Sequence, residues 1–337
     1  MAVPLRIGLL SAAHIHASAY ARVLAAMPEV ELIGLADEDA EQGAAFASDH
    51  GVGYLGDRET LLEARPDAVV VTSQNSQHRA DVEALARAGI SVLCEKPLAT
   101  TVEDGIAIVR ACRSAGVQLM TAFPMRFSEP IRAAASDVRE DRIGQVCAVA
   151  AVNQGELPSR HRAWFTDPIL AGGGALMDHV VHLVDLLRWV LGREVTEVYA
   201  TTNRILHADR AEVETGGLLL VHLGDVFATI DCSWSRPDGY PTWGGLGMEI
   251  VGERGVLEVD AFRQRFTLYA GREAGGSWGY WGSDANVGML RAFVDAVGAG
   301  GEPPITGIDG LRAVEVVAAG YASAASGQPV KLDLATP

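Results

Sequence analysis

Short apolar runs alternate with helical periods along the first third of the chain. β-Type runs occupy residues 5–10, 30–35, 68–72, 91–94 and 117–121, and between them apolar positions recur with a helical period over 15–27, 39–49, 76–88 and 102–115. The runs show little polar alternation, the pattern of strands covered on both faces. Strand–helix units joined by short links predict a doubly wound parallel α/β domain, a Rossmann-type sheet with right-handed crossovers.

The texture changes after residue 122. A helical stretch at 128–139 and a strand at 145–153 lead into a loop rich in Arg, His and Trp, then three glycines at 172–174 and a helix over 175–191. From 195 to 270 the pattern is consecutive strands (195–202, 216–223, 226–234, 248–251, 256–259 and 266–269), followed by helices at 286–298 and 307–326. Strands in succession predict an antiparallel sheet with helices on one face. Two domains follow, residues 1–122 and 123–337. The second is α+β with a large, mostly antiparallel sheet whose other face must be covered, most simply by a second copy of the chain.

Composition narrows the function. A chain of 337 residues can bury a core without disulfides. Forty-three acidic residues against 27 basic ones give a net charge of −16 with no basic block, the wrong sign for nucleic acid or an anionic membrane. No apolar stretch reaches the ~18 residues of a membrane span. The amino-terminal segment lacks a basic region before its apolar run, so no signal peptide is expected and the cytoplasm is the expected location. Cys94, Cys112, Cys147 and Cys232 are scattered without a CxxC pair and read as small core residues. Of the 27 cationic residues only Lys96 and Lys331 are lysines. That bias makes the position of each lysine informative.

The turn after the first strand is where a dinucleotide-binding domain carries GxGxxG. Here it reads SAAHIH at 11–16, with Ser11, Ala13 and His16 at the glycine positions. The loop opens a helix, so Ser11, Ala13, His14, Ile15 and His16 are placed for phosphate contact. Packing or solvated imidazole is the competing reading, and His14 with His16 lack a third ligand nearby for a metal. Asp37, at the end of the second run, is placed to accept hydrogen bonds from a ribose diol, or to cap the next helix. Glu38 and Asp39 follow with no arginine, which favours NAD over NADP. Lys96 ends a parallel strand, the edge where such sheets bind ligands. A lysine there supplies a point donor to a substrate oxygen, or pairs on the surface with Glu95. Asp178 and His182 are four apart, so on an α-helix they share one face. An aspartate can orient a histidine that acts as a base near neutral pH. A satisfied core pair is the alternative.

Together these segments resemble the Gfo/Idh/MocA family, named for glucose–fructose oxidoreductase and inositol dehydrogenase. The resemblance rests on CEKPLA at 94–99, GGGALMDHVVH at 172–182, SQNSQH at 73–78, MRF at 125–127, IVGERGVLEVD at 250–260 and SAASGQPV at 323–330. It implies a Rossmann domain followed by a sheet domain that forms dimers or tetramers. It implies NAD(P) at the strand ends and a sugar or polyol oxidised at one carbinol, or the reverse. Family roles then fall on His182 as the base and on Lys96 and Asp178 as substrate-holding groups. Ser73, Asn75, His78, Glu95 and Arg126 would line the cofactor cleft, and Asn153, His161, Trp164 and His179 the substrate wall. The glycine-poor SAAHIH loop departs from the family. Two rival readings are an enzyme that retains NAD through transient oxidation, as in epimerisation or elimination, and a non-catalytic sensor.

Overall fold

The structure is a computed structural model that describes residues 3–158, 162–240, 242, 244–263, 265–269, 276–280, 282 and 284–337. The first domain runs β1 (Leu5–Leu10), α1 (Ala17–Ala25), β2 (Val30–Ala36), α2 (Ala40–His50), β3 (Tyr54–Gly56), α3 (Arg58–Glu63), β4 (Ala68–Val71), α4 (His78–Arg87), β5 (Ser91–Cys94), α5 (Val102–Ala115) and β6 (Leu119–Thr121). All strands are parallel, in the order β3-β2-β1-β4-β5-β6. β1 and β4 lie at the centre, where strand order reverses. Their carboxyl ends, followed by residues 11–16 and 72–78, therefore open a crevice at the topological switch point. β4 is wholly buried, as its unbroken apolar run requires.

The second domain runs α6 (Glu129–Arg139), β7 (Val146–Gly155), a π turn (Leu176–Val180) continuous with α7 (Val181–Leu191), β8 (Glu197–Asn203), β9 (Gly216–Leu223), β10 (Val226–Ser233), β11 (Gly244–Gly252), β12 (Gly255–Asp260), β13 (Arg265–Tyr269), β14 (Gly276–Tyr280), α8 (Ala285–Ala299), α9 (Gly307–Ser326) and β15 (Val330–Lys331). Seven of these strands form one sheet, β12-β11-β7-β10-β9-β8-β15, while β13 and β14 pair separately. The sheet is mixed: β7 and β10 run parallel and the other neighbours antiparallel. Consecutive strands thus do not all pair in sequence, because β11 comes back beside β7 from across β10.

One face of this sheet is buried under α7 and α9 in the main core. The other carries exposed apolar side chains, including Val152, Tyr199, Leu218 and Phe227. Cys94, Cys112 and Cys232 are buried as read from the sequence, whereas Cys147 is exposed. Among the described residues no helix is long and apolar enough to cross a membrane.

Arg126, which the resemblance puts in the cofactor cleft, is engaged within the second domain. Its Nε and Nη2 donate to the two oxygens of Asp185 on α7 at 2.9 and 2.5 Å, Nη2 also reaches Asp309 on α9 at 2.9 Å, and Nη1 donates to the Pro304 carbonyl. A charge with five donors is tolerable in a buried place only when its donors are met this fully. Burial pushes the Asp185 carboxyl up to about 6 against the pull of Arg126. Removing the guanidinium leaves that carboxylate buried and unpaired. Arg126→Ala is expected to cost about 3–5 kcal/mol, read from urea unfolding monitored by circular dichroism; a loss below 1 kcal/mol would contradict the network's role.

Candidate active site

Lys96 enters the crevice at the end of β5, and Asp178 enters from the π turn of the other domain. Lys96 Nζ donates to Asp178 Oδ1 at 2.6 Å and to the Asp178 carbonyl at 3.2 Å, with both side chains nearly buried. The second carboxylate oxygen is also occupied: Trp234 Nε1 donates to it at 3.1 Å, and His179 Nε2 lies 3.1 Å away. His179 in turn is fixed by Asn153, with its Nδ1 3.1 Å from the Asn153 carbonyl and the Asn153 amide donating to the His179 carbonyl. Burial opposes the charge on Asp178, but Lys96 and His179 hold its carboxyl well below the usual range.

Local sequence explains how the π turn comes so close. Gly172 sits at φ +79°, and a Cβ on Gly174 would lie 2.0 Å from the Glu214 carbonyl oxygen. Only glycine fits such an approach. Glu214 then closes the turn: its Oε1 accepts from the Gly174 and Leu176 amides and from the Tyr321 hydroxyl at 3.0, 3.0 and 2.8 Å. The π turn also alters the spacing assumed for Asp178 and His182. They face one cavity, yet Asp178 is spent on Lys96, His179 and Trp234, and the expected Asp–His contact is not made. Among the described residues His182 Nδ1 has no partner, buried beside the Phe123 ring 6.0 Å away. Burial and the Lys96 charge hold the His182 imidazole well below its ordinary value despite Asp178.

The cavity has a volume of about 300 Å³. Its polar wall includes His16, Lys96, Asn153, Asp178, His179 and His182, all expected from the sequence, with Ile15 beside them. Its other wall, Met125, Leu246, Phe262 and Asn286 beside Gly244 and Gly245, was not read from the sequence. Only the paired glycines gave a signal there: a Cβ on Gly244 would meet the Gln154 carbonyl at 2.3 Å.

The substituted phosphate loop keeps a glycine-like path. Ser11 adopts φ +73°, the left-handed region that usually demands glycine. Its hydroxyl donates to Asp37 Oδ2 at 3.1 Å and accepts from the Ala13 amide at 3.1 Å, while the Ala12 amide donates to Asp37 Oδ2 at 2.6 Å. Asp37 therefore anchors the loop from within, and its Oδ1 accepts from the Asp39 amide alone. His14 is buried under Trp164 and Phe165, with Nδ1 accepting from the His16 amide. Trp164 differs from its expected place. Its indole nitrogen donates to the Ala13 carbonyl at 3.1 Å and its ring stacks on Phe165 at 4.0 Å, so it covers the phosphate loop, and the 300 Å³ cavity lining does not include it.

Ser73 and His78 are likewise spent inside the protein. The Ser73 hydroxyl donates to Asp81 at 2.6 Å, and the two His78 nitrogens face the Pro97 and Ser73 carbonyls. They brace the loop after β4 against the cis Lys96–Pro97 turn. Asn75 is placed differently: its amide donates to the Ala171 carbonyl, while Oδ1 is buried without a partner beside Lys96. His161 lies outside the described residues.

Glu95 is fully buried below the loop. Its Oε1 lies 2.9 Å from His16 Nδ1 and accepts from Tyr20 at 2.5 Å, and Oε2 accepts from the Lys96 amide. Burial opposes ionisation, but His14, His16 and Lys96 outweigh it and hold the carboxyl well below its normal range. Glu95 is also the third group near the two histidines: its oxygen and their nitrogens lie within 4.8 Å of one another. His16 Nδ1, Glu95 Oε1 and Tyr20 are committed to one another and His14 Nδ1 accepts from the His16 amide, which leaves His14 Nε2 as the unmet atom of the cluster among the described residues.

Fit to a dinucleotide can be tested on what this frame leaves unpaired. Among the described residues Asn75 Oδ1, Ser76 Oγ and His14 Nε2 are buried without partners. Such atoms cost free energy unless a ligand meets them. Asp37 Oδ1 keeps acceptor capacity for a hydroxyl. The residues at the switch point fit the group.

Comparison with known proteins agrees with this geometry. Residues 5–123 match the family described as "Oxidoreductase family, NAD-binding Rossmann fold", and residues 131–258 match the GFO/IDH/MocA C-terminal domain. The chain is 32% identical to 1,5-anhydro-D-fructose reductase of Ensifer adhaerens over 90% of this chain and 91% of that one. It is 29% identical to D-apiose dehydrogenase of Paraburkholderia graminis over 90% and 83%. The crystal structure of GenD2 from gentamicin A biosynthesis in complex with NAD superposes with a TM-score of 0.89 at 27% identity, covering 99% of this chain and 97% of that one.

Ser11 gives a test of how the loop does without glycine. Ser11→Ala keeps the left-handed backbone and removes both side-chain hydrogen bonds, an expected loss of about 1–3 kcal/mol. Ser11→Gly removes the same bonds but releases about 1–2 kcal/mol of backbone strain. Thermal unfolding should therefore place Ser11→Gly above Ser11→Ala, with Ser11→Ala below wild type; Ser11→Ala above Ser11→Gly would refute this origin of the loop's shape.

Proposed function

The chain belongs to the GFO/IDH/MocA family of oxidoreductases, and on that premise we propose that it oxidises a secondary alcohol of a sugar, polyol or sugar derivative with NAD, or runs the reverse reduction. The observation that carries this reading is one cavity at the switch point holding Lys96, Asp178 and His182 from two domains. In this reading residues 1–122 carry the dinucleotide and residues 123–337 the substrate. Bound NAD supplies the hydride acceptor.

The protein supplies orientation and proton transfer. Lys96, fixed by Asp178, presents its remaining donor to the substrate oxygen and favours charge developing there. His182, held neutral, takes the hydroxyl proton on Nε2, the ring nitrogen on the cavity side. With both Asp178 oxygens met by protein donors, its role is to place Lys96 more than to bind substrate. Asn75 contacts the dinucleotide through its unpartnered oxygen, and Asp37 accepts from the adenosine ribose. NAD is favoured over NADP because Asp37, Glu38 and Asp39 would repel a 2′-phosphate. The Arg58 guanidinium near this end is already paired with Asp81 and Glu59.

Absorbance of NADH across a panel of sugars and polyols tests the reading. Turnover with NAD, weaker turnover with NADP, and a loss of about 10² to 10⁴-fold in Lys96→Ala or His182→Ala are expected. Because the His182 imidazole is held below 6.5, the acid limb of kcat/KM should fall below that pH. Net NADH formation also separates this reaction from NAD-retaining chemistry. Equal activity of Lys96→Ala refutes the assignment.

The open sheet face supports a homodimer. Phe227 stands opposite Ala148 and His222, and Leu218 opposite Asp231 and Thr201, so apolar groups from neighbouring strands share one surface. Such a patch calls for a partner. Sedimentation velocity should show wild type at a multiple of the 35.6 kDa chain mass and Leu218→Asp/Phe227→Asp as a monomer; a monomeric wild type would contradict the proposal.

A further inference from the structure

His182 can receive a proton but has no route to pass it onward through its own far side. Its buried Nδ1, beside Phe123, finds no acceptor among the described residues. Two other imidazoles line the same cavity: His179, whose two nitrogens already face Asp178 and the Asn153 carbonyl, and His16, whose side chain is about one-third exposed (31%). His16 occupies the third glycine position of the phosphate loop, where small size is the usual requirement. Here it carries a full acid–base arrangement instead. Glu95 is ionised and accepts only, and Tyr20 already donates its hydroxyl hydrogen to Glu95. His16 Nδ1 must then carry the hydrogen it shares with Glu95 at 2.9 Å. The ring is thereby fixed in one tautomer with the Nε2 lone pair available.

We infer that His16 is a second proton-handling residue of the cleft, relaying to solvent the proton that His182 takes from the substrate. The inference rests on the dehydrogenase reading. In the oxidation direction the carbinol C–H bond breaks with its electron pair leaving as hydride to NAD. The O–H electron pair becomes the second C–O bond, and the proton goes to His182 Nε2. It then moves through water in the shared cavity to His16 Nε2. The Glu95 carboxylate, bonded to Nδ1, holds the ring in place until its exposed edge releases the proton. The charged and titratable groups around His16 are His14, Tyr20, Glu95, Lys96, Asp178 and His182, with Asp284 beyond Tyr20. Glu95 is the carboxylate in hydrogen-bond contact with the ring.

His16→Gly is the informative variant, because it restores the glycine common at this position and glycine is tolerated where a helix begins. NAD affinity by calorimetry should stay within about threefold, while kcat falls about tenfold or more and recovers with added imidazole. A weakened NAD affinity with unchanged kcat makes His16 a cofactor contact and overturns the relay, as does a loss of kcat that imidazole does not restore. His16→Gln, which keeps bulk and a hydrogen bond to Glu95, should be as impaired as His16→Gly; full activity in it also overturns the relay. Nitrogen-15 NMR of histidine-labelled protein gives a readout independent of turnover. His16 should show the Nδ1–H tautomer in wild type and lose it in Glu95→Gln. An Nε2–H tautomer in wild type refutes the relay whatever the assay shows. Absence of NADH with every substrate, beside the expected tautomer, counts against the dehydrogenase reading alone.

Discussion

The Lys96–Asp178 ion pair joins the two domains at the point where chemistry is placed. Lysine comes from the end of a parallel strand and aspartate from a π turn in the other domain, and they meet at 2.6 Å with little exposure. A buried ion pair gains little net stability, because desolvation consumes most of the attraction. Its value here is geometric. Lys96 cannot turn aside without leaving Asp178 uncompensated, so the ammonium stays aimed at the cavity. Much of the surrounding structure serves this contact. The glycines at 172–174 admit the π turn, Glu214 closes it, and Trp234 and His179 hold the second carboxylate oxygen.

A similar economy governs the phosphate loop. Without glycines, the chain keeps the left-handed bend by making Ser11 bond to Asp37, which in turn holds the Ala12 amide. Replacing the third glycine by His16 brings a side chain into the cavity and pairs it with Glu95. The motif that departs furthest from the dinucleotide pattern thus places an imidazole in the cavity.

The sequence made the parallel sheet legible because its strands are unbroken apolar runs set between helical periods. Strand β3, three residues long, has no run to find. The parallel β7–β10 pair was equally hidden, since pairing order depends on where β11 returns and not on local pattern. Lys96 and His182 were readable from spacing and strand ends. Their partners were less so. Helical spacing suggested that Asp178 would orient His182, but the π turn gives it to Lys96. Arg126, His78 and Trp164 look like cleft residues in one dimension. Each has donors that burial forces onto protein acceptors, which turned them inward. Glu214 and Trp234 carried no signal, because their partners lie 40 and 56 residues away along the chain.

If the ion pair places Lys96 for hydride transfer from a carbinol, breaking the pair should stop that transfer. A single-turnover reaction with a substrate deuterated at that carbon tests it most directly, using wild type and Asp178→Asn with NAD and mass spectrometry of the recovered nucleotide. The account predicts deuterium on the nicotinamide with wild type and little or none with Asp178→Asn, although the variant still binds NAD and unfolds cooperatively. Equal deuterium transfer by both proteins would contradict it.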